Sequence, residues 1–357
     1  MSLRPPLGPT GRTGLVYHEA MLKHETGPSH PEQPARLKVC LELLKEEAVL
    51  SKMELLTPAP ASSDQIEWVH PRDYIQRVKD LAAQSGYFPD TPVSPHSFEA
   101  ASLAAGGVIK AVDEILTSNL ENAFCLIRPP GHHATAAQGM GFCLFNNLAI
   151  GVRYAQRIHK ISKILIIDWD AHHGNGLQDI FYEDPSVLYI STHQSPLYPG
   201  TGNVWEIGQG RGEGFTINLP FPAGAGDNEY LQAFEQIISV ISGQFKPELI
   251  LIAAGFDGHF ADPLTGLRLT VDGYAQMAAK AVEMAENLCQ GRILLALEGG
   301  YNLEALPFSV LATINELGRF GLHPSDPFPG PEKKLSITQA SENLNLIKQI
   351  HKDFWKL

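Results

Sequence analysis

The run Asp168-Trp-Asp170-Ala-His172-His-Gly-Asn175-Gly176 gathers carboxylates and imidazoles at short, regular spacing. Residues two apart point the same way while extended geometry lasts, so Asp170 and His172 can share one cation. Asp257, in Gly255-Phe-Asp257 at the end of a separate apolar run, supplies a third ligand. Two carboxylates and an imidazole, with one position left for water, describe a catalytic zinc site rather than a structural one. An isolated Asp-x-His is more often a strand-end cap or an ion-pair partner; the full run and its companion motifs favour a metal. Asp168, one repeat deeper, can accept from a histidine or hold a monovalent cation behind the zinc, and either role orients the ligands.

His132 and His133 close Arg128-Pro-Pro-Gly-His-His133, where two prolines and a glycine stiffen the turn. One such histidine would usually be a satisfied core polar group. An adjacent pair beside a metal site points to proton transfer, because imidazole titrates near neutrality. Amide hydrolysis needs a base for water and an acid for the departing amine. In Glu298-Gly-Gly-Tyr301-Asn302, two glycines allow an unusual backbone path that brings the Tyr301 hydroxyl into a crevice. That hydroxyl can donate to an oxyanion developing opposite the zinc. The chemistry these residues describe is removal of an acyl group from an amine.

Such residues converge only if the elements carrying them are neighbours. Apolar, β-rich runs at Ala123–Ile127, Ile164–Asp168, Val187–Ser191, Phe215–Leu219, Leu249–Ala253 and Ile293–Leu297 read as strands, several without alternation, as in strands buried on both faces. Helical spacing marks Pro34–Ala48, Glu99–Thr117, Asn228–Gly243, Val271–Leu288 and Ser341–Phe354. Alternating strands and helices make an α/β fold with a parallel sheet covered on both faces. Ligands then bind beyond the carboxyl ends of the strands, and the polar motifs follow four of those ends. No internal repeat or low-complexity linker divides residues 1–357, so one domain is expected, with the helix after the Pro/Gly-rich stretch at 323–331 packed on its body.

Bulk properties narrow the function. Apolar residues make up 44% and charged residues 18%, so a large core is available and disorder is excluded. A net charge of −12 argues against direct nucleic-acid binding and suits a basic amine substrate. The four cysteines, Cys40, Cys125, Cys143 and Cys289, are scattered, which excludes a disulfide framework or cysteine-rich zinc site. Residues 1–9 hold no apolar stretch fit for a leader, and no apolar run approaches the roughly 20 residues that span a bilayer. A cytoplasmic protein without membrane contact is expected; oligomeric state is not legible.

The motifs together resemble the histone deacetylase family. They are His30-Pro-Glu-Gln-Pro-Ala-Arg-Leu37, Arg128-Pro-Pro-Gly-His-His133, Gly141-Phe-Cys-Leu-Phe-Asn-Asn147, the Asp168–Gly176 run, Pro199-Gly-Thr-Gly202, Gly255-Phe-Asp257, Asp262-Pro-Leu264 and Leu297-Glu-Gly-Gly-Tyr-Asn302, spanning roughly residues 14–320. They look most like the class II branch and its bacterial relatives, which include acetylpolyamine amidohydrolases and acetoin-utilisation proteins. The resemblance implies the arginase–deacetylase fold with a central eight-stranded parallel sheet. It implies one zinc on Asp170, His172 and Asp257, with His133 as general base and then acid. His132, paired with Asp168, would bind the water and stabilise charge, and Tyr301 would polarise the acetyl carbonyl. Gly141, Phe142, Tyr198 and Leu264 would line the substrate tunnel, and Arg36 an inner channel for acetate. A potassium or sodium ion would use the Asp168 and Ser191 side chains with carbonyls of Asp170, His172 and Thr192. A second would use carbonyls of Phe181, Asp184, Val187 and Phe215.

Departures sharpen the reading. Asn175 stands where class I enzymes carry an aspartate beside the second histidine, which makes His133 less basic. Cys143 would lie beside the tunnel as a passive small residue. Two-metal arginases would need a carboxylate at the position of Gly174, so one catalytic metal is expected; His259 is read as a rim residue. Two substrates compete, acetyl-lysine in proteins or peptides and acetylpolyamines. The polyamine-selective relative carries glutamate after the Asp-Pro dipeptide, whereas Leu264 follows it here, which favours acyl-lysine. A silent acyl-binding module would require a lost ligand, acid or tyrosine, and none is lost.

Overall fold

The computed structural model describes residues 12–331 and 338–357. The segment read for a leader, residues 1–9, lies outside the described residues. In chain order the strands are β1 (Thr13–Val16), β2 (Glu54–Leu56), β3 (Tyr87–Phe88), β4 (Thr91–Pro92), β5 (Asn122–Cys125), β6 (Ile164–Asp168), β7 (Val187–Gln194), β8 (Thr216–Phe221), β9 (Leu249–Ala254) and β10 (Ile293–Leu297). Eight of them form one sheet in the order β2-β1-β5-β10-β9-β6-β7-β8, and every pairing in it is parallel. The four strands that precede the polar motifs, β5, β10, β9 and β6, are therefore contiguous. Their carboxyl ends meet along one stretch of sheet edge.

Burial explains which strands were legible. β6, β9 and β10 are buried at every position, so their runs are continuously apolar. β1 and β2 were not expected: β1 is a four-residue strand without a longer apolar run around it, and β2 has three residues, two of them exposed. The two-residue β3–β4 hairpin carries no periodic signal at all. β5 closes at Cys125 rather than Ile127, and β7 extends to Gln194 against a neighbour that also runs longer.

The helices are α1 (Ala35–Glu46), α2 (Ser63–Glu67), α3 (Arg72–Gln84), α4 (Ser97–Leu116), α5 (Asn147–Ile158), α6 (Asn175–Phe181), α7 (Asp227–Ala233), α8 (Ser239–Phe245), α9 (Val271–Cys289), α10 (Ala305–Gly318) and α11 (Thr338–His351). The single helix expected over Asn228–Gly243 is α7 and α8 joined by a π turn at Phe234–Ile238. α2, α3, α5, α6 and α10 were not expected. α5 is preceded by its N-cap Asn146, whose side-chain oxygen accepts the Ala149 N–H at 3.1 Å. α10 is apolar nearly all round because it is almost wholly buried, which erases its period. α11 packs against the outer strand β8, where Asn343 Nδ2 donates to Pro220 O at 2.7 Å. All four cysteines are free and buried, and among the described residues no helix is long and apolar enough to cross a membrane.

Candidate active site

Asp170 and His172 leave the end of β6, and Asp257 follows β9, its hydrogen-bonded neighbour. The ligand atoms of these three side chains lie within 4.8 Å of one another, and all three residues are buried. His172 Nδ1 sits 2.8 Å from Asp257 Oδ2 and 3.2 Å from Asp170 Oδ1. The second oxygen of each carboxylate is spent on backbone: Gly299 N donates to Asp170 Oδ2 and Ala171 N to Asp257 Oδ1. The cluster is thus held by the ends of three strands before any cation binds. Its donor set, two carboxylates and one imidazole nitrogen, fits a divalent zinc ion. Burial alone would lower His172, but the two carboxylates outweigh it and push its pKa up to about 10.

His132 and His133 follow β5 on a turn that enters through a cis Arg128–Pro129 bond. Their rings lie 4.0 Å apart, yet their environments are opposite. His132 Nδ1 is 3.1 Å from Asp168 Oδ2 and its Nε2 is 3.9 Å from Asp170 Oδ2. Burial opposes charge, but Asp170 and Asp168 prevail and push His132 up to about 10. His133 is driven well below its ordinary value by burial, then by the charges of His132 and His172. Its Nδ1 meets Asn175 Oδ1 at 2.8 Å, which makes Nδ1 the protonated nitrogen and leaves Nε2 as an acceptor. Neighbouring carboxylates thus favour the protonated form of His132, while burial favours the neutral form of His133.

Tyr301 enters from the end of β10. Gly299 and Gly300 permit its path, Gly300 at φ +118 and Gly299 pressed against both ligand carboxylates. Burial holds the phenol well above its ordinary value against the opposing Arg36, so it remains a donor. Arg36 is fully buried, lies over the Tyr301 ring at 5.0 Å and donates to Gly300 O at 2.7 Å. Asp262 Oδ2 receives the Tyr301 N–H at 2.7 Å and the Asn302 N–H at 3.2 Å. Sequence reading quoted Asp262 only within a motif and missed this anchoring role. At the mouth, the Phe142 ring meets Tyr301 edge-on at 5.8 Å and Tyr198 meets His133 at 5.2 Å. Gly141 has φ +56, and a Cβ there would stand 2.3 Å from the His133 ring. Leu264 is exposed, and its N–H donates to Asp262 Oδ1 at 3.0 Å. Asp90, on the turn between β3 and β4, accepts the Gly141 N–H at 2.7 Å; nothing in the sequence pattern pointed to it.

The chain matches the histone deacetylase domain over residues 30–317. It belongs to the histone deacetylase family. This deacetylase is 43% identical to a probable deacetylase of Archaeoglobus fulgidus over 355 residues, 96% of this chain and 99% of the relative. It is 37% identical to a histone deacetylase-like amidohydrolase of Pseudomonas aeruginosa, over 86% of each chain. A polyamine deacetylase of Homo sapiens is 35% identical over 96% of this chain and 53% of its own. Among solved structures, the crystal structure of the HDA15 HD domain matches with TM-score 0.88 and 35% identity, covering 97% of this chain and 96% of that one. The chain is a hydrolytic deacetylase of the arginase–deacetylase fold.

Other residues singled out in this deacetylase sort by position. His259 is a correction: it is not at the rim but 1% exposed, its Nε2 2.9 Å from Asp326 Oδ2 and its Nδ1 accepting from Ala261 N. The segment at 323–331 covers it, a fold-back that spacing cannot reveal. Cys143 is buried with its thiol 3.3 Å from Gly141 O. Behind the metal cluster, Ser191 Oγ lies 2.9 Å from His193 Nδ1 and Thr192 Oγ1 donates to Asp168 O at 3.3 Å. Phe181, Asp184 and Val187 lie on the turn from α6 into β7, where Phe181 O accepts from Asp184 N and Asp184 O from Val187 N. Phe215 O accepts from Tyr189 N.

Proposed function

We propose that this deacetylase is a one-zinc amidohydrolase that removes acetyl groups from lysine side chains in proteins or peptides. The observation that carries the reading is the meeting, beside one cluster of three metal-ligand side chains, of two adjacent histidines, one on Asp168 and one on Asn175, with the partly buried Tyr301. Asp170, His172 Nδ1 and Asp257 would hold the zinc, which when bound lowers the pKa of water and polarises a carbonyl. His133 Nε2 takes the proton of the attacking water and returns one to the departing amine. His132, kept charged by Asp168, offsets negative charge as it develops, and Tyr301 donates to the acyl oxygen. Asn175 fixes the tautomer of His133. Phe142 and Tyr198 grip the aliphatic stem over Gly141, and Arg36 beside Tyr301 suits the anionic product.

Gly174 supports a single metal, since a Cβ there would stand 2.1 Å from Asp168 Oδ2 and leave no room for a further carboxylate. The Asp168, Ser191 and carbonyl set behind the zinc, and the α6–β7 turn, are our candidate potassium or sodium sites. The second substrate reading is an acetylpolyamine, supported by the likeness to the human polyamine deacetylase. Against it, Leu264 offers no rim charge, and the Asp262 carboxylate is committed to Leu264, Tyr301 and Asn302 N–H groups.

The test measures acetate release, with bound zinc assayed on the same samples. His133→Ala and Tyr301→Phe should each lose on the order of 10²-fold or more in kcat while zinc stays bound. Persistence of acetate release in both variants would refute the mechanism. Turnover of an acetylpolyamine severalfold above that of an acetyl-lysine peptide would overturn the substrate assignment.

A further inference from the structure

Glu298 sits at the end of β10 with no exposed surface. Its Oε2 accepts two consecutive backbone N–H groups, from Gly131 at 2.7 Å and His132 at 3.1 Å. Its Oε1 is buried and has no hydrogen-bond partner among the described residues. A carboxylate half satisfied in the interior is a net cost to folding, and costly polar groups persist where function requires them. The residues 298–302 touch the histidine turn, Asp170 and Arg36. The Glu298 side chain holds the histidine turn, the Gly299 N–H holds Asp170, and Tyr301 is the phenol itself. The Glu298 carbonyl takes Arg36, which also binds Gly300 O and lies over the Tyr301 ring. The histidine turn belongs to β5 and the tyrosine to β10, which are paired strands. Beyond that pairing, the Glu298 carboxylate bridges directly from the tyrosine turn to the histidine turn.

We propose that Glu298 is a positioning residue that sets the placement of the His132–His133 turn relative to Tyr301 by clamping the Gly131 and His132 N–H groups. This rests on the reading of that pair as the proton-transfer groups. The clamp is a matter of reach and acceptor geometry, so the conservative variants separate it from a role of charge or of core filling. Gln keeps the length and offers one amide oxygen to both N–H groups. Asp keeps the charge but withdraws the acceptor by about 1.5 Å, one carbon–carbon bond.

The experiment compares wild type, Glu298→Gln and Glu298→Asp as zinc-loaded full chains. It measures kcat and KM for an acetyl-lysine peptide, with metal content and thermal midpoint. Glu298→Gln should keep kcat within about threefold, less than the worth of one hydrogen bond. Glu298→Asp should lose on the order of 10²-fold in kcat, as a displacement near 1 Å does, with KM within about twofold and zinc retained. An Asp variant as active as the Gln variant, or more so, overturns the proposal, as does an Asp variant whose loss follows zinc loss or a rise in KM. Failure of the underlying reading looks different: wild type releases no acetate, or His133→Ala keeps the wild-type rate.

Discussion

At the residue scale, the cluster depends as much on missing atoms as on ligands. A Cβ on Gly299 would stand 2.3 Å from Asp257 Oδ2 and 2.6 Å from Asp170 Oδ2, closer than any real contact. Both carboxylates would have to move, and each is already fixed by a backbone N–H. Gly299→Ala should therefore purify with much less than one zinc per chain, read by elemental analysis beside wild type. Full zinc occupancy in that variant would show that the carboxylates are free to shift. The two adjacent histidines make the same point about context. Identical side chains one residue apart are pulled in opposite directions: carboxylates outweigh burial at His132, whereas burial and then the charges of His132 and His172 lower His133.

At the scale of elements, a buried ion cluster joins the approach to α1 with the end of β5. Glu32 Oε1 lies 3.2 Å from Arg36 Nη1 and 2.8 Å from Arg128 Nε, and Glu32 Oε2 is 2.8 Å from Arg128 Nη2. All three residues are fully buried. Burial would raise the Glu32 carboxyl, yet Arg128 above all brings it down to about 2. Removing this carboxylate strands two guanidinium groups in the interior. Glu32→Gln should cost ~3–5 kcal/mol of stability, the usual penalty for breaking a buried pair. Urea unfolding gives the value, and a loss below about 1 kcal/mol would place the pair among weakly coupled surface bridges. The variant should also lower kcat, because Arg36 lies over Tyr301 and would lose its counter-ion.

For the whole molecule, buried histidines set the response to acid. His24, His70, His193 and His351 are each pushed down to about 4, with burial the first cause in every case. Unfolded, each would titrate near 6.5, so below that pH the unfolded chain binds more protons and stability falls. Glu32 adds to this: its contribution is present above 4.5 and is lost as pH falls towards about 2. His132 works the other way, its contribution full below 6.5 and lost as pH rises through about 10. The thermal midpoint should therefore fall steadily from pH 6.5 to pH 4 and continue down below it. A midpoint that is flat or rises across that interval would contradict the burial of these imidazoles.

What the sequence by itself determined is local. A two-residue period at the end of an apolar run identified Asp170 and His172. The apolar runs marked six of the eight sheet strands, because strands buried on both faces leave continuous apolar signal. Histidine pairing, a Gly-Gly turn and the strand-end rule were enough to expect His132, His133 and Tyr301 beside Asp170, His172 and Asp257 at one sheet edge. Only the tertiary structure decided which strands are neighbours, and with that which polar groups meet. Asp262 under Tyr301, Asp90 under Gly141, Asp326 over His259 and Glu298 under His132 are all long-range hydrogen bonds. Such partners share no period and no spacing. They follow from the sheet order and from the requirement that a buried donor or acceptor find some partner, which the chain can satisfy only once it is folded.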